Sequence, residues 1–287
     1  MNQKRTLKIL WIIAITLSVI AVWVSFVDCG YTEVCFIDVG QGDSCFIKTE
    51  KCSSILIDGG DEGSGRYVLE PFLRNHQTLS LDAVFISHLH SDHMQGITEL
   101  LDNNYKIDKI YIPDITAEKN NYSYLKNLTD QKGVSLIPLS TGDTIQIDEV
   151  IFTILSSGTS YEEENDNSLV MRLDCGENSI LFTGDATKAV EHTIPSESLD
   201  TDFLKVAHHG SYTSSSKDFL KAVSPEMSII SVGENNSYNH PSERTLLQYK
   251  VLNLPIARTD YDGTISIIMT QDDILNILYS RERSKSL

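Results

Sequence analysis

The sequence predicts an α/β fold of the mixed, α+β kind: two sheets or one mixed sheet, covered by helices and preceded by one transmembrane helix. Three observations predict it. An uncharged apolar run stands near the amino end, short apolar strands punctuated by turns fill the remainder, and helical stretches interrupt those strands only at intervals. Regular strand–helix alternation would have favoured an open parallel sheet; this order does not.

Ile9 to Val27 is nineteen residues without a charge. As a helix it covers about 28 Å, roughly the hydrocarbon thickness of a bilayer. Lys4, Arg5 and Lys8 precede the run and Asp28 and Glu33 follow it, which places the amino terminus in the cytoplasm. Trp11 and Trp23 stand near its ends, where amphipathic rings favour the interface. A cleaved signal peptide is the rival reading. Its apolar region is usually shorter and ends at small residues, whereas Ser25-Phe26-Val27-Asp28-Cys29 offers no such exit. Residues 1–30 therefore read as a cytoplasmic tail and uncleaved anchor. Residues 31–287 read as one extracytoplasmic domain on a single-pass protein of the cell membrane.

Within that domain Val34–Val39, Ser44–Lys48 and Ser54–Asp58 follow one another across short polar turns and read as a meander. Arg66–Arg74 has helical character, followed by the strand Ala83–Ser87 and the helix Met94–Leu101. Strands are expected at Lys109–Ile112, Val134–Pro138, Val150–Leu155, Ser168–Asp174, Ile180–Thr183, Phe203–Ala207, Met227–Val232 and Thr264–Met269. Helices are expected near Lys217–Ala222 and Glu243–Asn253, and the polar stretches Asn120–Gln131 and Tyr161–Asn167 read as loops.

Composition narrows function. Lys plus Arg is 23 against 40 for Asp plus Glu, a net charge of −17. Proteins that grip nucleic acid through phosphate charge show the opposite balance, so extended nonspecific DNA binding is not expected. A local site that neutralises phosphate with metal ions stays open. The five cysteines form no CxxC pair, which removes structural zinc of the four-cysteine kind, and their odd number leaves at least one thiol free or paired between chains.

The chemistry concentrates at Ser87-His88-Leu89-His90-Ser91-Asp92-His93, directly after an apolar strand. Buried together, three imidazoles and a carboxylate would leave unpaired polar groups. Metal ions remove that cost, because neutral imidazole nitrogen and carboxylate oxygen are good ligands for zinc. The spacing suits two ions, with His88 and His90 on one and Asp92 and His93 on the other. Further ligands lie at later strand ends: Asp185 in Phe182-Thr183-Gly184-Asp185, His208 and His209 in Ala207-His208-His209-Gly210-Ser211, and His240 before Pro241.

His88–His93 is an HxHxDH motif, and with Asp185 it resembles the metallo-β-lactamase fold. The motifs Phe36-Ile37-Asp38-Val39-Gly40-Gln41-Gly42-Asp43-Ser44, Leu56-Ile57-Asp58-Gly59-Gly60 and Ala207–Ser211 narrow the resemblance. They are similar to the carboxy-terminal domain of ComEC-type competence proteins, as are Tyr238–Pro241 and the turn Asp260–Gly263. The similarity runs from about residue 33 to 270. It implies a four-layer αββα sandwich, with a dimetal site at one edge of the sheets and Asp185 bridging the ions. It also implies hydrolysis by metal-activated water, of a phosphodiester above all. Zinc is the expected pair of ions and manganese the other candidate, since Asn165 and Asn167 stand where many members of the fold supply a further histidine. These two asparagines are expected just behind the ligands. The many-helix channel of ComEC proteins has no counterpart here, so DNA transport is not implied.

Asp92, Asp185 and His240 are thus the expected catalytic residues. His88, His90, Asp92, His93, Asp185 and at least one of His208 and His209 are the expected ligands, the alternation of a strand sending those two histidines to opposite faces. Asp58 is expected to orient a ligand histidine, Asp38 and Asp43 to shape the site floor, and His240 to bind substrate or donate a proton. His76 and His192 read as surface residues. The expected partners are a phosphoester or other ester substrate and the membrane. Two rival functions are hydrolysis of a cell-wall or lipid head-group ester such as phosphocholine, and a non-catalytic, metal-stabilised surface role in DNA uptake.

Overall fold

Alternation along each strand builds the layers. In the computed structural model, which describes residues 8–16, 29–114, 120–158 and 164–281, β1 (Thr32–Phe36) turns Val34 and Phe36 to one side and Cys35 to the other. The same split recurs in β3 (Ser54–Ile57), where Ile55 and Ile57 face one core and Leu56 another. Strand periodicity makes this division automatic.

The first sheet has eight strands in the order β17-β16-β1-β2-β3-β5-β7-β8. They comprise β1, β2 (Cys45–Lys48), β3, β5 (Ala83–Phe85), β7 (Lys109–Pro113), β8 (Ser135–Leu139), β16 (Ile265–Met269) and β17 (Ile274–Tyr279). The expected meander β1-β2-β3 is antiparallel, while β3, β5, β7 and β8 run parallel. The second sheet has seven strands in the order β15-β14-β13-β12-β11-β10-β9. It contains β9 (Thr144–Ile147), β10 (Val150–Ser156), β11 (Val170–Cys175), β12 (Asn178–Phe182), β13 (Phe203–Lys205), β14 (Met227–Ile230) and β15 (Ile256–Arg258). Here β9 to β12 are antiparallel and β12 to β15 parallel. A two-stranded ladder joins β4 (Ser80–Leu81) to β6 (Lys106–Ile107).

The inner faces meet in one core. Phe36 and Phe182 stack across it with ring centroids 6.0 Å apart, and Phe85 meets Phe152 at 4.6 Å. Each such ring, fully withdrawn from water, contributes about 1.5–3 kcal/mol. Over the outer face of the first sheet lie α1 (Glu70–Asn75), which continues a π-turn at Gly65–Leu69, α2 (Ser91–Asp102) and α3 (Asn120–Lys132). Over the second sheet lie α5 (Lys217–Val223) and α6 (Glu243–Leu252), contributing Phe219, Leu220, Val223 and Tyr249. Two single turns, α4 (Lys188–Glu191) and α7 (Thr259–Asp262), complete the helices used below. The result is a helix–sheet–sheet–helix sandwich.

One expectation needs revision. Asn120–Gln131 is a helix, not a loop: Leu125, Leu128 and Thr129 share one buried face, and three small contacts suffice to dock an otherwise polar segment. The odd cysteine count resolves into one disulfide, Cys29–Cys52, with Cα atoms 5.9 Å apart, and three buried thiols at Cys35, Cys45 and Cys175. The expected anchor falls largely outside the described residues. Residues 8–16 are helical and exposed, residues 17–28 are not described, and no described helix is long and apolar enough to cross a membrane.

Candidate metal centre

Parallel neighbours in a sheet bring their carboxyl ends side by side, and ligand sites form in the loops beyond those ends. Both sheets do this at the same edge. Asp58 follows β3, His88 to His93 follow its parallel neighbour β5, and Asp185 follows β12. His208 and His209 follow β13, and the loop to His240 follows β14. Asp92 and His93 occupy the first turn of α2, for which His90 is the N-cap.

The Asp185 carboxylate lies at the centre. Its Oδ1 is 3.3 Å from His93 Nε2, and its Oδ2 is 4.0 Å from His88 Nε2, 3.7 Å from His208 Nε2 and 3.8 Å from His209 Nε2. Asp92 Oδ2 is 3.2 Å from His209 Nε2, and its Oδ1 is 4.0 Å from His93 Nε2. A second ring of groups holds the imidazoles from behind. His93 Nδ1 donates to Asp58 Oδ2 at 2.9 Å, and the other oxygen of Asp58 accepts from the Ser87 amide at 2.7 Å. His209 Nδ1 donates to the Ser231 carbonyl at 3.0 Å, with Asp43 Oδ1 3.1 Å away. Lys205, buried beneath, donates from Nζ to Asp43 Oδ2 at 2.5 Å. With Nδ1 anchored in this way, both rings aim Nε2 at the centre.

The charges follow from this crowding. Burial alone would lower His93 and His209, but carboxylates outweigh it: Asp185 and Asp58 raise His93 well above the usual range, and Asp185 with Asp43 pushes His209 up to about 10. Burial would raise Asp185, yet His93 and His209 hold it well below the usual carboxylate range. His88 is lowered, by burial first and then by His93. The cluster is therefore built to hold positive charge among its carboxylates. Divalent cations displace protons from imidazoles placed this way.

The donor set fits metal on a structural test. His88 Nε2, His93 Nε2 and Asp185 Oδ1 are buried and lack a hydrogen-bond partner among the described residues, even though the last two are neighbours. Groups left so are costly without a further partner. Ligand atoms of His88, His93 and Asp185 lie within 4.8 Å of one another, as do those of Asp92, His93 and His209, and those of Asp43, Asp185 and His209. The groups overlap through His93, His209 and Asp185, so the donors serve two adjacent positions more readily than one.

The structure brings His88, Asp92, His93, Asp185, His208 and His209 together. His90 sits at the rim, partly exposed, with Nε2 3.0 Å from Glu164 Oε2. His208 and His209 are separated by conformation, not by strand alternation. The strand ends at Lys205, and both histidines adopt left-handed backbone angles in a short turn, at φ 53° and 51°. His209 is then buried against Asp92, while His208 stays partly exposed beside Asn165, whose Nδ2 is 3.4 Å from its Nε2. Strained backbone of this kind marks places where side-chain direction matters. Asn167 is buried at the end of the short helical turn Glu164–Asn167. His240 faces His208 across 5.7 Å between ring centroids and is lowered to about 4, by burial first and then by its histidine neighbours.

Asp38 departs from expectation. Asp43 underlies the site, but Asp38 points to the carboxyl-terminal segment and pairs with Arg281 at 2.7 Å. Glu164 and Lys205 were not singled out from sequence. Glu164 reaches His90 across 74 positions, and Lys205 reads as an ordinary strand residue until its burial is seen. His76, read as a surface residue, is half-buried and stacks on Phe72 at 4.0 Å.

The mouth over the cluster encloses about 230 Å³ and is lined by Gln41, His90, Asp92, Asn165, Tyr238 and His240 together with the central groups. Comparison with known proteins agrees with this centre. Residues 37–234 match the metallo-beta-lactamase superfamily. ComE operon protein 3 of Bacillus subtilis is 32% identical over 204 residues, covering 70% of this chain and 26% of that protein. Competence protein ComA of Neisseria gonorrhoeae is 29% identical over 216 residues, covering 74% and 28%. The chain thus spans about a quarter of the length of these relatives. Among solved structures, the metallo-beta-lactamase fold protein YhfI of Bacillus subtilis aligns with a TM-score of 0.57 at 14% identity, over 83% of this chain and 99% of that one. With the sandwich, the convergent histidines and aspartates and the matched family pattern in agreement, the chain belongs to the metallo-beta-lactamase superfamily and resembles the ComEC-type competence proteins within it.

Proposed function

We propose that this protein is a dimetal phosphodiesterase held at the outer face of the cell membrane by its amino-terminal anchor. The observation that carries the reading is the position of Asp185, one carboxylate facing His88, His93, His208 and His209 at 3.3–4.0 Å. His88 and His90 would hold one ion and Asp92, His93 and His209 the other, with Asp185 shared. Two ions bound there supply acidified water and offset charge on the phosphoryl oxygens. Zinc suits the imidazole-rich set, and the asparagines at 165 and 167 leave room for manganese.

The chain's own residues do the rest. Asp58 and Asp43 fix the direction of the His93 and His209 rings, and Lys205 balances the charge of Asp43. Asn165 and Tyr238 line the mouth and limit the approach of substrate. His240, with Nδ1 buried and unpartnered among the described residues and the ring lowered to about 4, lines the mouth as a neutral imidazole that would hydrogen-bond substrate there, the proton on the leaving alcohol coming from the attacking water. In the net reaction water adds to phosphorus, one P–O bond breaks, and the leaving alcohol departs protonated. The Cys29–Cys52 disulfide supports an oxidising, extracytoplasmic location, since such bonds are rare in the cytosol.

The small mouth and the −17 charge favour a second reading, a phosphocholine ester as substrate. One experiment separates the readings. The full chain in detergent, supplied with zinc or manganese, is assayed on bis-p-nitrophenyl phosphate and on p-nitrophenylphosphorylcholine, with a chelator as control. Metal-dependent cleavage favouring the first supports the proposal. Preference for the choline ester supports the second reading, and no turnover of either with any metal removes the hydrolase.

A further inference from the structure

A second cavity opens beside the metal centre. It encloses about 510 Å³ and shares Asn165 and His208 with the mouth of the site, so the two are continuous. Its character differs from the rest of the molecule. In a chain with 40 acidic side chains against 23 basic ones, this wall carries Lys188 and Arg244. Its one lining carboxylate, Asp166, is buried and accepts from the Thr187 amide at 3.1 Å and hydroxyl at 2.6 Å. Arg244, on the exposed first turn of α6, forms no ion pair among the described residues. Lys188 Nζ donates to the Tyr212 carbonyl at 2.5 Å, which holds its charge at the cavity wall. A cavity that is locally basic on an acidic protein selects an anion, and a guanidinium with an ammonium suits phosphate.

Aromatic rings flank both halves of the groove. Tyr212, on the wall of the second cavity, is 58% exposed, and Tyr238, at the metal mouth, is 65% exposed while stacking on His240 at an interplanar angle of 19°. Exposed rings beside a basic groove are stacking platforms for unpaired bases. We propose that the Lys188–Arg244 cavity is a second phosphate subsite, which takes the phosphodiester adjoining the one cleaved and makes a short single strand the preferred substrate. This rests on the phosphodiesterase reading of the neighbouring metal centre. It also reconciles the acidic chain with a nucleic-acid substrate: a few nucleotides meet a local basic wall, whereas a long duplex would meet the acidic surface.

The test uses the full chain loaded with metal and two substrates, a thymidine dinucleotide with one phosphodiester and a trinucleotide with two. The wild type should show kcat/KM about tenfold or more higher on the trinucleotide, carried by KM. The double substitution Lys188→Gln, Arg244→Gln should remove that preference and leave the dinucleotide and bis-p-nitrophenyl phosphate unchanged. Equal rates on both lengths in the wild type, equal losses on both in the variant, or preference for glycerophosphocholine would overturn the proposal. A second readout is independent of turnover. Fluorescence anisotropy of a labelled thymidine tetranucleotide with cleavage-resistant methylphosphonate at the scissile position only, measured on the metal-loaded full chain, should show about tenfold weaker binding by the variant and a steep loss with salt. If hydrolysis is absent but this difference holds, the phosphodiesterase reading fails and the subsite stands. Identical binding by the two proteins, or none by the wild type, overturns the subsite.

Discussion

His208 and His209 are adjacent in the chain and unequal in the site. Left-handed backbone at both positions turns His209 inward to Asp92 and leaves His208 at the border between the two cavities. Replacing His209 with alanine should lower the metal content from two ions toward one and cut turnover by about 100-fold or more, whereas His208→Ala should keep two ions. Elemental analysis of the purified proteins checks this; equal metal loss in both variants would contradict the assignment. The sequence made most of the candidate ligands legible because His88 to His93 are local and follow an apolar strand. It could not rank His208 against His209, since strand alternation presupposes a strand that ends at Lys205. Nor could it reveal Glu164 beside His90, a contact that exists only through folding.

At the scale of elements, the site depends on how closely α2 meets two glycine turns. A Cβ added at Gly96 would sit 1.9 Å from the Gly59 carbonyl oxygen, and one at Gly42 would sit 2.5 Å from that of Asp92. The contacts are hydrogen-bonded as well: Gly59 donates to the His93 carbonyl at 2.6 Å, and Gly96 to that of Gly60 at 3.1 Å. Backbone this close sets the height of Asp92 and His93 above the sheets. Gly96→Ala should therefore force α2 outward, costing about 3 kcal/mol. Chemical denaturation should show that loss, together with reduced metal content. Unchanged stability would mean that the helix is not clamped. The turns themselves were legible as Gly-Gln-Gly-Asp and Asp-Gly-Gly, and α2 as an apolar stretch. The helix α3 was not, because its polar surface hides a docking face of only a few residues. The edge strands β9 and β17 were missed too: β9 is short and alternates with polar residues, and β17, though apolar except for Asn276, lies half-exposed at the end of the chain's last turn.

At the scale of the whole molecule, two sheets pair their parallel halves at one edge, and the candidate ligands of both converge there. Strand order and sheet partition were beyond the reach of local patterning, because β1 pairs with β16 across most of the chain. The layered class was legible from the order of elements, and its four layers from the resemblance. The disulfide gives a check on the proposed location. Alkylation under denaturing, non-reducing conditions should label three of the five cysteines, matching free Cys35, Cys45 and Cys175. Labelling of all five in protein from intact cells would place the domain in a reducing compartment. The central claim is that one carboxylate serves both ions of a hydrolytic pair. Asp185→Asn keeps the shape of that group and removes the charge that offsets two cations. The decisive measurement is the rate of bis-p-nitrophenyl phosphate hydrolysis by the full chain carrying this substitution, with folding verified by circular dichroism and exposed His192→Ala as control. The account predicts a fall of several orders of magnitude for Asp185→Asn and little change for the control. A folded Asp185→Asn protein with near-normal activity would contradict it.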